Sequence, residues 1–170
     1  MDLTPYAAWI VFLHVAGAFA FAAGHGVSIF VAFRVRRERD PVRIASLLDL
    51  SAASLVVAGI GLLGLLGLLG AGIVAGIVLG SFGRAWVWIS LVLLLVIGGL
   101  MTPISGMYFA RLRRAVGQRT PNMKPDQPDP EPVSGEELAT LLDSRRPEAL
   151  LLVGGTGLMV ILWLMMFRPF

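Results

Sequence analysis

The sequence predicts an all-α integral membrane protein, a four-helix bundle with both termini on the outer side of the membrane. The prediction depends on where charged residues are missing. Of the 170 residues, 56% are hydrophobic, and charged side chains do not occur in four long runs, at 3–33, 50–83, 85–110 and 149–167. An apolar run of about 18 or more residues is long enough to cross a bilayer as a helix. This distribution excludes a water-soluble enzyme.

Each uncharged run predicts one membrane span, and the four spans cover residues 6–33, 44–80, 86–112 and 148–167 of a single transmembrane domain, 1–170. The first follows Pro5, which suits the first turn of a helix. The second is longer than one crossing needs, so it either protrudes from the membrane or breaks between Gly70 and Gly80. In the third, Pro103 predicts a kink, because proline cannot donate a backbone hydrogen bond inside a helix.

The basic residues predict the orientation of these spans. Segments 34–43 and 111–146 hold 12 of the 14 Lys and Arg residues, and the other two are Arg84 and Arg168. Basic loops stay on the cytoplasmic side, so we expect both segments inside and both termini outside. Aromatic residues that favour membrane interfaces fall near the predicted outer side: Tyr6, Trp9, Trp86, Trp88 and Trp163. Basic residues beside apolar spans indicate membrane topology, so no nucleic-acid partner is predicted.

Residues 113–147 form the one long water-exposed segment, a cytoplasmic loop. Its first part is rich in proline and predicts an extended tether. The pattern from Ser134 to Glu137 resembles a capping box and predicts a short amphipathic helix at 135–143. Its leucines would form one apolar face: Leu138, Leu141 and Leu142. That helix either lies on the bundle or membrane surface or docks a partner.

Glycine spacing in the second span predicts close helix packing. Gly72, Gly76 and Gly80 recur every fourth residue, which places them on one face of a helix. Such faces let helix backbones approach each other closely in lipid. The groove either packs within the bundle or contacts another subunit. Beyond the lipid bilayer, the expected partner is therefore a second copy of the chain or a larger membrane complex.

The two histidines are candidate cofactor ligands, since an ionisable residue inside a membrane indicates function by default. His14 and His25 share a face of the first span but lie about 16 Å apart along the helix axis, too far to bind one metal together. Each could be an axial ligand of its own haem or copper, and Met101 or Met107 could supply a second, soft ligand. A histidine from a second copy is another source. The alternative is a neutral imidazole that is hydrogen-bonded to a neighbouring helix.

Enzyme chemistry has little support in the residues. The chain has no cysteine, which excludes thiolate metal sites and cysteine nucleophiles. We find no Ser-His-Asp set and no paired carboxylates within a span, so no catalytic residue is predicted. Asp49, near the start of the second span, suits a helix N-terminus close to the loop arginines. A proton-relay carboxylate is the alternative for Asp49.

Two segments resemble a bacterial superfamily of membrane proteins. The segment Phe12-Leu-His14-Val-Ala-Gly-Ala-Phe-Ala-Phe-Ala-Ala-Gly24 is similar to the first span of copper-resistance D-type proteins and HemJ-type protoporphyrinogen oxidases. The four-span plan and the closing Leu162-Trp-Leu-Met-Met-Phe-Arg168-Pro169 are most similar to a family of predicted bacterial integral membrane proteins of unassigned function. In the HemJ-type relatives the histidine at the position of His14 binds haem. Those enzymes also use a lysine in a later span, and no predicted span here contains one, which argues against protoporphyrinogen oxidation.

These observations predict a multi-pass protein of the bacterial cytoplasmic (inner) membrane. The favoured function is a non-catalytic accessory or haem-associated subunit of a membrane redox complex, with haem b as the candidate cofactor and copper as the second choice. One alternative is a structural homo-oligomer without a cofactor. Another is a transporter of a small solute or copper, although the spans supply few polar groups to line a path.

Overall fold

The computed structural model describes residues 2–57, 66–120 and 123–170, and within these ranges all of its regular secondary structure is helical, without a strand. The all-α prediction is therefore confirmed for this part of the chain. The helices are α1 (Ala7–Arg36), α2 (Pro41–Val57), α3 (Ala71–Val78), α4 (Ala85–Met101), α5 (Met107–Ala115), α6 (Gly135–Leu142), α7 (Arg146–Leu150) and α8 (Gly157–Phe167).

Wide π-helical turns lengthen these helices into membrane-sized rods. Leu66–Gly70 leads into α3, Thr102–Gly106 joins α4 to α5, and Leu151–Thr156 joins α7 to α8. Three helical stretches are consequently long and apolar enough to cross a membrane: Thr4–Arg36, Ala85–Ala115 and Gly135–Phe167. The chain therefore has the helices of a transmembrane protein.

The predicted spans 6–33, 86–112 and 148–167 lie within those three stretches. The predicted second span, 44–80, includes residues 58–65, which lie outside the described part of the chain. The second span was predicted either to protrude or to break between Gly70 and Gly80. At Gly70 the helix does not break, because the π turn Leu66–Gly70 continues directly into α3, which ends at Val78.

Helix α1 packs antiparallel to the second apolar segment. Near one end, the buried hydroxyls of Ser28 and Ser51 are hydrogen-bonded at 3.0 Å. Towards the other end, Gly17 lies directly against Gly67, where a Cβ added to Gly17 would come within 2.8 Å of the Gly67 carbonyl carbon. Glycine is therefore required at residue 17, because a larger residue would overlap the backbone of the neighbouring segment.

The proline at residue 103 coincides with the π turn between α4 and α5. Arg146, at the start of α7, donates hydrogen bonds to the carbonyl oxygens of Pro103 and Ile104. Carbonyls released from regular helical bonding need another donor in an apolar environment. A side chain from a different helix thus supplies the hydrogen bonds that the wide turn needs.

The most deeply buried side chains lie at the end of the bundle that carries Arg36, Arg113 and Arg146, which we call the basic end. The fully or almost fully buried residues there are Val31, Val35, Ile44, Leu48, Leu112, Leu138 and Leu142. Two of them, Leu138 and Leu142, belong to α6, and the Ser134 side chain caps this helix by accepting from the backbone N–H of Glu137. The amphipathic helix therefore uses its apolar face within the chain.

A polar cluster ties α2 to the end of α5 at the basic end. Arg113 donates to the Asp49 carboxylate at 2.8 Å and to the Leu48 carbonyl at 2.7 Å. Gln118 donates to the other Asp49 oxygen at 3.1 Å. The Arg113 side chain is only 15% exposed, whereas the Asp49 side chain is 61% exposed, so the arginine is shielded from solvent and the carboxylate is not. Asp49 therefore binds an arginine of α5. It lies about two turns inside α2, which begins at Pro41, so the predicted position at a helix N-terminus is wrong.

Replacing Arg113 with alanine is expected to lower the free energy of unfolding in detergent by about 2 kcal/mol, because the Leu48 carbonyl loses its side-chain donor and the Asp49 carboxylate keeps only the hydrogen bond from Gln118. Arg114→Ala is the matched control, since Arg114 is exposed and should change stability by less than about 0.5 kcal/mol. Denaturant titration of both variants measures the difference. Equal losses in the two variants would show that the cluster adds no stability.

Candidate cofactor site at His14

His14 is held by a hydrogen bond across the helix interface. Its Nδ1 atom lies 2.7 Å from the carbonyl oxygen of Leu68, in the π turn that precedes α3. A carbonyl oxygen can only accept, so Nδ1 must donate and carry the ring proton. In the neutral imidazole, Nε2 then has no proton and keeps its lone pair. This tautomer is the one needed to bind a metal ion through Nε2.

Gly72 makes room for the imidazole. A Cβ added at Gly72 would lie 2.7 Å from Nδ1 and 2.8 Å from Cε1 of His14. Any side chain at this position would therefore push the ring away from Leu68. Gly72 was predicted to lie in a helix-packing groove. In the structure it leaves space for the imidazole ring of His14, which comes from α1.

The other two glycines of the predicted groove have different surroundings. Gly76 is covered by the ring of Phe82, whose edge would lie 2.8 Å from an added Cβ. Gly80 adopts φ +62° directly after α3, in the left-handed region that favours glycine, and leads into the turn Ser81–Gly83. The contacts of Gly72 and Gly76 lie within the chain, whereas Gly80 serves the turn.

His25 occupies a separate position, closer to the basic end. Its ring stacks at a tilt on Phe21, with 4.4 Å between ring centroids. Its Nδ1 atom is buried and has no hydrogen-bond partner among the described residues. The Cδ2 edge of the ring lies 4.0 Å from the position of a Cβ on Gly154, in the π turn between α7 and α8.

Met101 lies beside His25. Its sulfur is 3.8 Å, and its methyl group 2.8 Å, from the same added Cβ position on Gly154. The structure therefore brings together His25 and Met101 around a glycine. Met107 is 46% exposed at the start of α5. The candidate ligands therefore lie at three separate places. His14 lies against Leu68 and Gly72, His25 and Met101 lie next to Gly154, and Met107 is at the start of α5.

Clustered metal ligands are not found in residues 2–57, 66–120 and 123–170. No three His, Cys, Asp or Glu residues in these ranges come together as a possible metal site. A single imidazole is what the structure offers at His14. In general, a bare copper ion takes several protein ligands, whereas haem can be held by a single histidine together with apolar contacts.

Sequence reasoning identified His14 and Gly72 but missed their connection, as well as the roles of Leu68 and Gly154. The Leu68 carbonyl is a backbone group, and nothing in the sequence marks it as an acceptor. Gly154 had a weak signal, a glycine pair in an otherwise apolar run. Its role depends on side chains from two distant helices.

No protein-family model, curated protein or solved structure matches the chain. The class defined by the described structure is an all-helical membrane protein.

Replacing Gly72 with alanine is expected to lower the free energy of unfolding by about 1–3 kcal/mol, because the displaced imidazole loses its hydrogen bond to the Leu68 carbonyl. Gly70→Ala is the matched control. Nothing lies within 4 Å of a Cβ at Gly70, so alanine there should be neutral or slightly stabilising. Thermal unfolding in detergent compares the two variants, and an unchanged midpoint for Gly72→Ala would contradict the contact.

Proposed function

We propose that this protein is a four-span, non-catalytic subunit of a membrane redox complex in the bacterial cytoplasmic membrane, and that it binds haem b through Nε2 of His14. The observation that carries the proposal is the hydrogen bond from Nδ1 of His14 to the Leu68 carbonyl. Histidines that bind metals commonly donate their other ring N–H to a carbonyl or carboxylate, which fixes the tautomer and the ring orientation.

The fourth crossing is supported by the contacts along α1. Ser28 meets Ser51, Gly17 meets Gly67, and His14 lies at Gly72. As the residue number falls along α1, the number of its partner rises, so the second apolar segment accompanies α1 in the opposite direction. Together with the three membrane-sized stretches, this arrangement favours four spans.

The orientation with both termini outside is supported by the separation of charge. Ion pairs at the basic end join Arg36 to Glu148 and Arg113 to Asp49. At the opposite end, the Arg168 guanidinium lies 5.7 Å from the centroid of the Trp86 ring. Only Arg84 and Arg168 fall on this predicted outer side, and a small number of basic residues is typical there, whereas clustered arginines are typical of the cytoplasmic side.

The helix that carries His14 presents apolar side chains that a hydrophobic cofactor could contact. Leu13 and Val15, the neighbours of His14 in sequence, are 55% and 57% exposed. When bound, haem would supply one-electron transfer between ferric and ferrous iron. The chain itself would fix the imidazole and exclude water from its apolar surroundings. Any further protein ligand to the cofactor would come from another copy of the chain or a partner subunit.

The absorption spectrum of protein purified in mild detergent, first oxidised and then reduced with dithionite, tests the proposal. We expect a Soret band that shifts on reduction. His14→Asn should remove the band while preserving the fold, because an asparagine amide can still donate to Leu68 but offers no Nε2. His25→Ala is the control and should retain the band.

Absence of a Soret band from folded wild-type protein, even after reconstitution with haemin, would overturn haem binding and favour the structural homo-oligomer. An unchanged band in His14→Asn would assign the haem to another ligand. Circular dichroism and size-exclusion chromatography establish that each variant is folded.

A further inference from the structure

A cavity at the basic end has features of a lipid headgroup site. It has a volume of about 560 Å³ and is lined by Phe33, Arg36, Arg37, Arg39, Asp143 and Glu148. The first four residues belong to the end of α1 and the turn after it, whereas Asp143 follows α6 and Glu148 lies in α7. The cavity therefore opens between the end of one membrane-sized helix and the beginning of another. Its volume is within the range of ordinary small-ligand pockets.

The two acidic residues of the cavity are already paired. Arg36 forms ion pairs with Glu148 and, at 3.6 Å, with Asp143. This arrangement fixes the Arg36 side chain between two helices, and its single positive charge balances one of the two carboxylates. Because the lining holds three arginines against two acidic residues, a net charge of +1 remains for a ligand, and Arg37 and Arg39 are the arginines that are not paired with a carboxylate.

Arg37 and Arg39 keep donors available. Arg37 has no side-chain hydrogen bond or ion pair to the described residues, and its side chain is exposed. Arg39 uses Nη1 for the carbonyls of Arg36 and Glu38, both at 2.9 Å, which holds its guanidinium at the cavity and leaves Nη2 and Nε. Planar guanidinium groups bind phosphate oxygens through paired hydrogen bonds.

The neighbouring carboxylate does not compete for these arginines. Glu38 accepts hydrogen bonds from the backbone N–H groups of Arg39 and Asp40, at 3.0 and 3.3 Å. These two bonds lower the pKa of the Glu38 carboxyl. The carboxylate is thereby turned onto the loop backbone and remains ionised there.

An apolar strip leads from the cavity along α1. Gly26, Phe30, Phe33 and Arg37 follow the three- and four-residue spacing that places side chains on one helix face. Phe30 is 65% exposed, and the space around Gly26 is open to at least 4 Å. Across the cavity, Leu152 follows Glu148 by one helical turn and is 68% exposed. A free phosphate ion gains nothing from contact with these apolar surfaces, whereas an acyl chain would cover them.

We propose that the cavity binds the phosphate of an anionic phospholipid through Arg37 and Arg39, and that one acyl chain of this lipid lies along the apolar strip of α1. Basic pockets between transmembrane helices are suited to such headgroups. The proposal requires only that this helix end lies at a membrane interface, and it is independent of haem at His14.

Native mass spectrometry of the delipidated full-length protein in a neutral detergent tests the site. The chain is titrated at fixed ionic strength with short-chain phosphatidylglycerol, with phosphatidylcholine of the same chain length, and with inorganic phosphate. We expect saturable binding of one phosphatidylglycerol, with affinity at least about tenfold above that of the other two ligands.

The double variant Arg37→Gln, Arg39→Gln should weaken phosphatidylglycerol binding by about tenfold or more. The matched control is Arg111→Gln, Arg114→Gln, which removes the same charge from two exposed arginines of the basic end outside the cavity. It should change the affinity by less than about threefold, the effect of diffuse charge alone. Arg39 also donates hydrogen bonds to the backbone of its own loop, so its replacement could disturb the loop. The single variant Arg37→Gln tests the site without breaking any described contact.

Equal losses in the two double variants would overturn the proposal, because binding would then follow total charge. Equal affinity for inorganic phosphate and phosphatidylglycerol would also overturn it, by assigning the site to a free anion. Phosphatidylcholine bound as tightly as phosphatidylglycerol would show that the arginines do not select the headgroup.

Discussion

The structure depends on one constraint, that a backbone carbonyl inside a membrane must find its hydrogen-bond donor within the protein. The π turns are where this constraint acts on tertiary structure. The Leu68 carbonyl receives the imidazole of His14, and the Pro103 carbonyl receives the guanidinium of Arg146. At the third π turn, Gly154 provides space for the side chains of His25 and Met101. Each irregular turn is therefore also a contact between helices that are distant in sequence.

Local signals predicted a good part of this architecture. Uncharged runs indicated helices because an apolar helix satisfies its own backbone, and Pro103 marked an irregularity because it lacks an N–H. The contacts between distant segments could not be derived in the same way. Asp49 was expected near the arginines of the first loop, but its partner Arg113 lies 64 residues away. His14 was recognisable as a polar residue in a span, whereas its acceptor Leu68 is an ordinary leucine whose side chain has no part in the bond.

The two histidines show how equivalent residues acquire different surroundings. Both lie on one face of α1, yet their contacts differ. His14 is hydrogen-bonded to the Leu68 carbonyl, whereas His25 stacks on Phe21 and lies next to Gly154. The hydrogen bond from His14 to Leu68 fixes a tautomer with an unprotonated Nε2. This difference is the physical reason for placing the proposed haem at His14. The proposed lipid lies at the other end of α1, so a single helix would carry both ligands without one interfering with the other.

The protonation of His14 is the most direct test of this account. Nitrogen-15 NMR of histidine-labelled protein in lipid bilayers at neutral pH distinguishes the two imidazole tautomers, and His25→Ala leaves His14 as the sole histidine. Donation to the Leu68 carbonyl predicts a proton on Nδ1 and none on Nε2. A proton on Nε2 with Nδ1 bare would contradict the account, because two acceptors cannot form the hydrogen bond that holds the ring.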